Sequence, residues 1–160
     1  MAATTTTTVF LVRHAKAADR EGWTGADRDR PLVDRGRAQA DRLARALEPE
    51  RPALVAASPW LRCVETAEPL AEAIGLEVRP DDRLGYDHPD LAGFVRACAE
   101  AHAGRSVVAV SHGDLIPFYL AQVGMLDGTP RFRTGSLFRL ELRDGHPERA
   151  TLMDRRDLGP

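Results

Sequence analysis

Lysine is almost missing from this chain. Lys16 is the only one, and the remaining positive charge is arginine, whose planar fork suits bidentate holding of oxyanions better than an ammonium does. An excess of charge of either sign is missing too. Lys and Arg number 22 against 24 Asp and Glu, a formal net charge of −2, so no basic field points to nucleic acid or to an anionic membrane. No apolar run approaches the roughly 18–20 residues that cross a bilayer. The start, Met1-Ala2-Ala3 followed by Thr4 to Thr8, lacks the charged and apolar segments of a signal peptide. Cysteine is scarce. Cys63 and Cys98 form no CxxC pair and fall within helical patterns, which reads as buried free thiols in a cytoplasmic protein. Glycine fingerprints of the P-loop and Rossmann kinds are absent, as are internal repeats and linkers. The 160 residues suffice for one domain with a real core: a short polar tail over 1–6, then a single domain over 7–155.

What the sequence does contain is short apolar runs alternating with helical patterns, the signature of an α/β domain with a largely parallel sheet. The first strand is expected over 7–12, followed by a polar loop over 17–30 that contains Gly22, Trp23 and Gly25. That loop is long for a compact domain; it either covers a pocket or is a solvated loop with Trp23 packed locally. A helix follows over 34–47, with Leu43, Ala44 and Leu47 inward and Pro49 near its end. The second strand is 54–57. Ser58 is expected as N-cap and Pro59 as first residue of the next helix, which has Leu61, Val64, Ala67, Ala71 and Ile74 on one face. Pro69 inside it predicts a kink, and Gly75 ends it. A short strand near 76–79, a loop over 81–89 and a helix carrying Leu91, Phe94, Val95 and Cys98 come next. A strand over 107–110 and a helix over 114–123 follow. Two closing strands, 136–142 and 150–153, are joined through Asp144-Gly145.

Three of these strands end in residues that suit phosphate. Val9-Phe10-Leu11-Val12 delivers Arg13 and His14. Leu54-Val55-Ala56-Ala57 leads to Ser58 and Arg62, and Val107-Val108-Ala109-Val110 leads to Ser111 and His112. In parallel α/β sheets ligands gather beyond the C-terminal ends of the strands. Phosphoryl transfer needs positioning and charge stabilisation above all. Two guanidiniums and a second imidazole supply that without a metal, and a neutral imidazole is a competent nucleophile. Read alone, each residue has a duller use: His14 capping a carbonyl, Arg62 solvated on a helix, His112 capping the helix after it. A zinc site is the competing use of two histidines, but no Cys or acidic partner stands at ligand spacing. Lys16 and Arg20 either reach a second phosphate or are solvated charge.

Leu11-Val12-Arg13-His14-Ala15 resembles the RH(G/A) signature of the histidine phosphatase superfamily, with its phosphoglycerate-mutase-like fold. Pro31-Leu32, Gly36 and Gln39-Ala40 resemble the segment that follows it. Ser58-Pro59, Arg62 and Glu65-Thr66-Ala67 are similar to the family's SPxxRxxxTA motif, and Ser111-His112-Gly113 to its second histidine motif. The resemblance runs in order from about Val9 to Leu142. It implies a three-layer α/β/α domain with a mostly parallel sheet, His14 as nucleophile, and Arg13, Arg62 and His112 as the phosphate pocket, with no cofactor and no metal. The short length and the Arg-His-Ala-Lys start look like the small SixA-type phosphohistidine phosphatases. They also look like the phosphatase domain fused to some Nudix hydrolases, whose Nudix half these residues do not include.

The chain departs from the family at the proton donor. Larger members place a Glu after the second motif's helix, where this sequence has Asp81-Asp82-Arg83-Leu84-Gly85-Tyr86-Asp87-His88-Pro89. Asp87 is the first candidate, with Asp82, His88 or no acid as alternatives; apolar surroundings would keep such a carboxyl protonated. Without an acid, substrates with good leaving groups are favoured, namely phosphohistidine in a protein or a small phosphoanhydride. The resemblance therefore implies a cytoplasmic phosphatase acting on a phosphorylated protein or small metabolite. A mutase is disfavoured because segments that would cage a rebinding intermediate are absent. The alternative from another class is a phospho-ligand binding module without turnover.

Overall fold

A computed structural model describes residues 3–160. The first two residues of the predicted tail lie outside the described residues, and strand β1 begins at Thr6, inside that tail. The elements are β1 (Thr6–Arg13), α1 (Asp34–Leu47), β2 (Leu54–Ala57), α2 (Leu61–Ile74), β3 (Arg79–Pro80), α3 (Leu91–Ala101), β4 (Ser106–Ser111), α4 (Leu115–Gln122), β5 (Leu137–Arg143) and β6 (His146–Met153). They build one six-stranded sheet in the order β3-β2-β4-β1-β5-β6. The pairs β3–β2, β2–β4 and β4–β1 are parallel, while β5 and β6 are added antiparallel. The sheet is mostly parallel, as expected.

Side-chain alternation in the strands sorts the core into two layers. Val9 and Leu11 of β1, with Val107 and Ala109 of β4, face α3 and α4, meeting Phe94, Val95, Ile116 and Leu120. Phe10 and Val12, with Val108 and Val110, face α1 and α2, meeting Leu43, Leu47, Cys63 and Leu70. Burial on both faces explains the continuous apolar runs of the parallel strands. The result is the three-layer α/β/α arrangement. Each fully buried branched side chain contributes roughly 1.5–3 kcal/mol of transfer free energy.

Three details differ from the sequence reading, the first being that β6 begins at His146 and not near 150. Helix α2 begins at Leu61 with Trp60 at the N-cap and no side-chain cap, because Ser58 is engaged elsewhere. The strand expected near 76–79 is shifted to Arg79–Pro80. Helix α2 runs through Pro69 and ends at Gly75, whose left-handed φ of 74° closes bonds to Ala71 and Glu72. Cys63 and Cys98 are buried free thiols.

Candidate active site

The C-terminal ends of β1, β2 and β4 converge, and they bring Arg13, His14, Arg62 and His112 together. The parallel ladder continues one residue past β1, where the His14 backbone N–H donates to the Ser111 carbonyl at 3.0 Å. The two imidazole centroids lie 5.6 Å apart. A cavity of about 440 Å³ opens over His14, lined in part by Arg13, His14, Arg62, Tyr86, Gly113 and Asp114.

The backbone after His14 is clamped from two helices. Ala15 N–H donates to Thr66 Oγ1 at 2.9 Å, and Lys16 N–H donates to Gln39 Oε1 at 2.9 Å. Thr66 in turn donates to the Arg62 carbonyl at 2.6 Å, and Glu65 Oε1 accepts from Leu32 N–H at 2.9 Å. Gly36 lets α1 lie on this segment: a Cβ there would stand 2.0 Å from the Lys16 carbonyl oxygen. The residues Leu32, Gly36, Gln39, Glu65 and Thr66 were visible in the sequence as parts of motifs. Their common task, fixing Ala15 and Lys16, was not.

His14 has a defined tautomer. Its Nδ1 lies 2.8 Å from the Ala15 carbonyl; a carbonyl only accepts, so Nδ1 carries the proton and Nε2 keeps a lone pair. Arg62 Nε–H points at that lone pair from 3.3 Å. Burial, helped by the charges of Arg62 and Arg13, lowers the His14 pKa to about 4, so the ring is neutral near pH 7.

His112 is fully buried, and burial, followed by the nearby His14 and Arg62, lowers its pKa to about 3. Its Nε2 lies 2.9 Å from Ser58 Oγ. Ser58 Oγ also accepts from Trp60 N–H at 3.3 Å; a hydroxyl oxygen has two acceptor sites, so Nε2 either receives the serine hydrogen or donates to Oγ. His112 Nδ1 is buried without a partner among the described residues, and a buried polar atom left so costs about 1–3 kcal/mol.

Arg62 is 1% exposed. Its terminal nitrogens donate to the Asp27 carbonyl at 3.0 Å and to Asp27 Oδ2 at 3.3 Å. Burial raises the Asp27 pKa, but the Arg62 and Arg30 charges outweigh it and hold the carboxyl below its ordinary value. Arg13 donates from Nη1 to the Phe132 carbonyl at 2.5 Å, and its buried Nε has no partner among the described residues. Gly113 is required beside it, since a Cβ would stand 2.6 Å from Arg13 Nε.

The loop over 17–30 combines both uses expected of it. Its Asp27 end reaches Arg62, while Trp23 packs locally, donating from Nε1 to the Ala26 carbonyl at 2.8 Å. Lys16 and Arg20 reach the cavity wall, but each is held by an acid, Lys16 by Asp19 at 3.0 Å and Arg20 by Asp27 at 3.7 Å.

Asp87 is not brought into the cavity. Its side chain is 57% exposed and pairs with Arg28 Nη1 at 2.9 Å, while Arg28 itself stacks over Trp60 at 4.8 Å. Asp82 and His88 are exposed. The acidic wall of the cavity is instead Asp114, which accepts from Tyr86 Oη at 2.8 Å and caps α4 at Leu115 N–H. Sequence reasoning missed both; the adjacency of Asp114 to the Ser111-His112-Gly113 motif was the available signal. Among the described residues no three His, Cys, Asp or Glu side chains stand close enough together to hold a metal ion, and no helix is long and apolar enough to cross a membrane.

Fold and site together define an α/β domain with an arginine–histidine cluster at its strand ends. The model of the histidine phosphatase superfamily (branch 1) matches residues 9–85, and the chain belongs to that superfamily. It is 32% identical over 147 residues to an 8-oxo-(d)GTP phosphatase of Mycolicibacterium smegmatis, covering 88% of this chain and 46% of that protein. The chain thus spans about half the length of that curated relative. The protein histidine phosphatase SixA, complexed with tungstate, superposes with a TM-score of 0.78 at 24% identity, over 94% of this chain and 99% of that one. A protein assigned as the phosphohistidine phosphatase SixA of Agrobacterium tumefaciens gives 0.65 at 26% identity, over 84% of this chain and 91% of that one. In size and fold the chain is of the small SixA type.

Proposed function

We propose that this protein is a phosphatase working through a phosphohistidine on His14, with phosphohistidine in a protein as its leading substrate. The observation that carries the proposal is the His14 tautomer. Nε2 holds its lone pair inside a pocket of two guanidiniums and a second imidazole whose Nδ1 has no partner among the described residues. Nε2 attacks phosphorus and the bond to the leaving atom breaks. Arg13, Arg62 and Nδ1–H of His112 take the charge on the equatorial oxygens. Water then attacks phosphorus, expels Nε2 and releases phosphate.

With Asp87 paired to Arg28 outside the cavity, the first step runs without that acid. This favours leaving groups that depart easily, as phosphohistidine and phosphoanhydrides have. The similarity to an 8-oxo-(d)GTP phosphatase supports a small nucleotide phosphoanhydride as the second reading. The free thiols Cys63 and Cys98 suit a reducing, cytoplasmic setting.

Hydrolysis of p-nitrophenyl phosphate in the presence of a chelator tests the proposal. Turnover that falls by at least about a thousandfold in His14→Ala, the scale of removing a catalytic nucleophile, is expected. No turnover by the wild-type chain, or equal turnover by His14→Ala, overturns it and leaves the binding-module reading.

A further inference from the structure

The two walls of the catalytic cavity differ in charge. On the loop wall the cations share two acids: Lys16 has Asp19 at 3.0 Å, while Asp27 serves Arg20 at 3.7 Å, Arg30 at 2.9 Å and Arg62 at 3.3 Å. On the opposite side stand Tyr86, Gly113 and Asp114. Asp114 belongs to no ion pair among the described residues. Arg13 feels its charge but lies outside pairing distance. Both hydrogen bonds that Asp114 makes are accepted by Oδ1, from Tyr86 Oη and from Leu115 N–H, and Oδ2 is left without a donor. Beside it the Tyr86 ring leans on His112, centroids 4.1 Å apart, and is 39% exposed at the cavity mouth.

A carboxylate without a cation next to an exposed aromatic ring repels a second phosphate and attracts a flat, positively charged group. We propose that Tyr86 and Asp114 form the leaving-group subsite, and that it takes a protonated nitrogen base, so the site selects phosphoramidates over phosphoanhydrides. The inference rests on the phosphatase reading above and sharpens its substrate.

The chemistry balances as follows. The substrate imidazole, phosphorylated on one nitrogen, enters already protonated by solvent hydronium on the other, and Asp114 accepts that N–H. His14 Nε2 forms the new P–N bond. The old P–N bond breaks with its electron pair going to the substrate nitrogen, and imidazole leaves neutral. No acid is needed at the breaking bond. Asp114 does not touch phosphorus; it holds the leaving base in its protonated form, in which departure is easy.

The test compares N-phosphoryl imidazole with p-nitrophenyl phosphate, whose leaving group needs no proton, in the wild-type chain, Asp114→Asn and Asp114→Ser. Asn and Ser both keep the helix cap, so the fold is preserved while the charge is lost. The ratio of kcat/KM for phosphoimidazole to that for p-nitrophenyl phosphate is expected to fall about fivefold in both variants, the scale of one solvent-exposed ion pair. Activity on ADP is expected to rise. An unchanged ratio, or an equal fall on both substrates, overturns the subsite. Absence of p-nitrophenyl phosphate turnover in the wild type, or its survival in His14→Ala, strikes instead at the phosphatase reading, and the subsite falls with it.

Discussion

Ser58 Oγ and His112 Nε2 lie 2.9 Å apart, which leaves Nδ1 as the ring nitrogen without a partner among the described residues. In the proposed mechanism the serine hydrogen goes to Nε2 and Nδ1–H donates to substrate oxygen. Ser58→Ala removes that preference without changing the pocket's charge. We expect kcat to fall roughly tenfold or more, the range of one lost oxyanion donor, with KM little changed and the thermal midpoint within a few degrees. Steady-state kinetics on an aryl phosphate check it; a pure KM effect contradicts the role.

Gly113 and Arg13 make a second such pair. Because a Cβ at position 113 would stand 2.6 Å from Arg13 Nε, Gly113→Ala pushes the guanidinium out of place. Inorganic phosphate is expected to bind about tenfold more weakly, the loss of one charge-assisted contact, and calorimetric titration measures it. Binding equal to wild type shows that Arg13 does not hold the anion.

The two imidazoles of the site make stability depend on acid. Burial lowers the pKa of His14 to about 4 and of His112 to about 3, against 6.5 in the unfolded chain. The folded state therefore binds fewer protons than the unfolded state below about pH 6.5, and stability falls as pH drops from there toward 4. Between pH 7 and pH 5 the loss is on the order of 1–2 kcal/mol per histidine. Urea midpoints at the two pH values check this, and His112→Gln is expected to show a shallower slope. Identical slopes would show that His112 is not buried neutral.

Asp87 gives a prediction of small effect. Its carboxylate is exposed and tied to Arg28, so Asp87→Asn is expected to leave kcat/KM on an aryl phosphate within about twofold, as surface ion pairs are weak. A fall of tenfold or more, recovered by Asp87→Glu, would return Asp87 to the role of proton donor.

The residues that the sequence placed well are those fixed by the period of a strand. Arg13, His14 and His112 follow fully buried runs, and a strand's end sets where the next side chain projects. Arg62 is the second residue of the helix that follows such a run. The residues it placed poorly depend on partners far along the chain. Ser58 has the local preference of an N-cap, but His112, 54 residues away, claims its hydroxyl. Asp87 stands at a reasonable distance along its loop, yet Arg28, 59 residues away, turns it outward. Asp27 offers no local signal at all, and its bond to Arg62 spans 35 residues. Spacing along the chain says which groups are near a strand end, while the direction a carboxylate turns is decided by which guanidinium meets it.

Rapid acid-free quenching of the wild-type chain with an excess of aryl phosphate, followed by mass mapping, tests the central claim most directly. One phosphoryl group on His14 is expected, labile to acid and stable to base, and missing in His14→Ala. A phosphoryl group on any other residue, or turnover with no phosphoenzyme at a quench faster than kcat, would contradict covalent catalysis by His14.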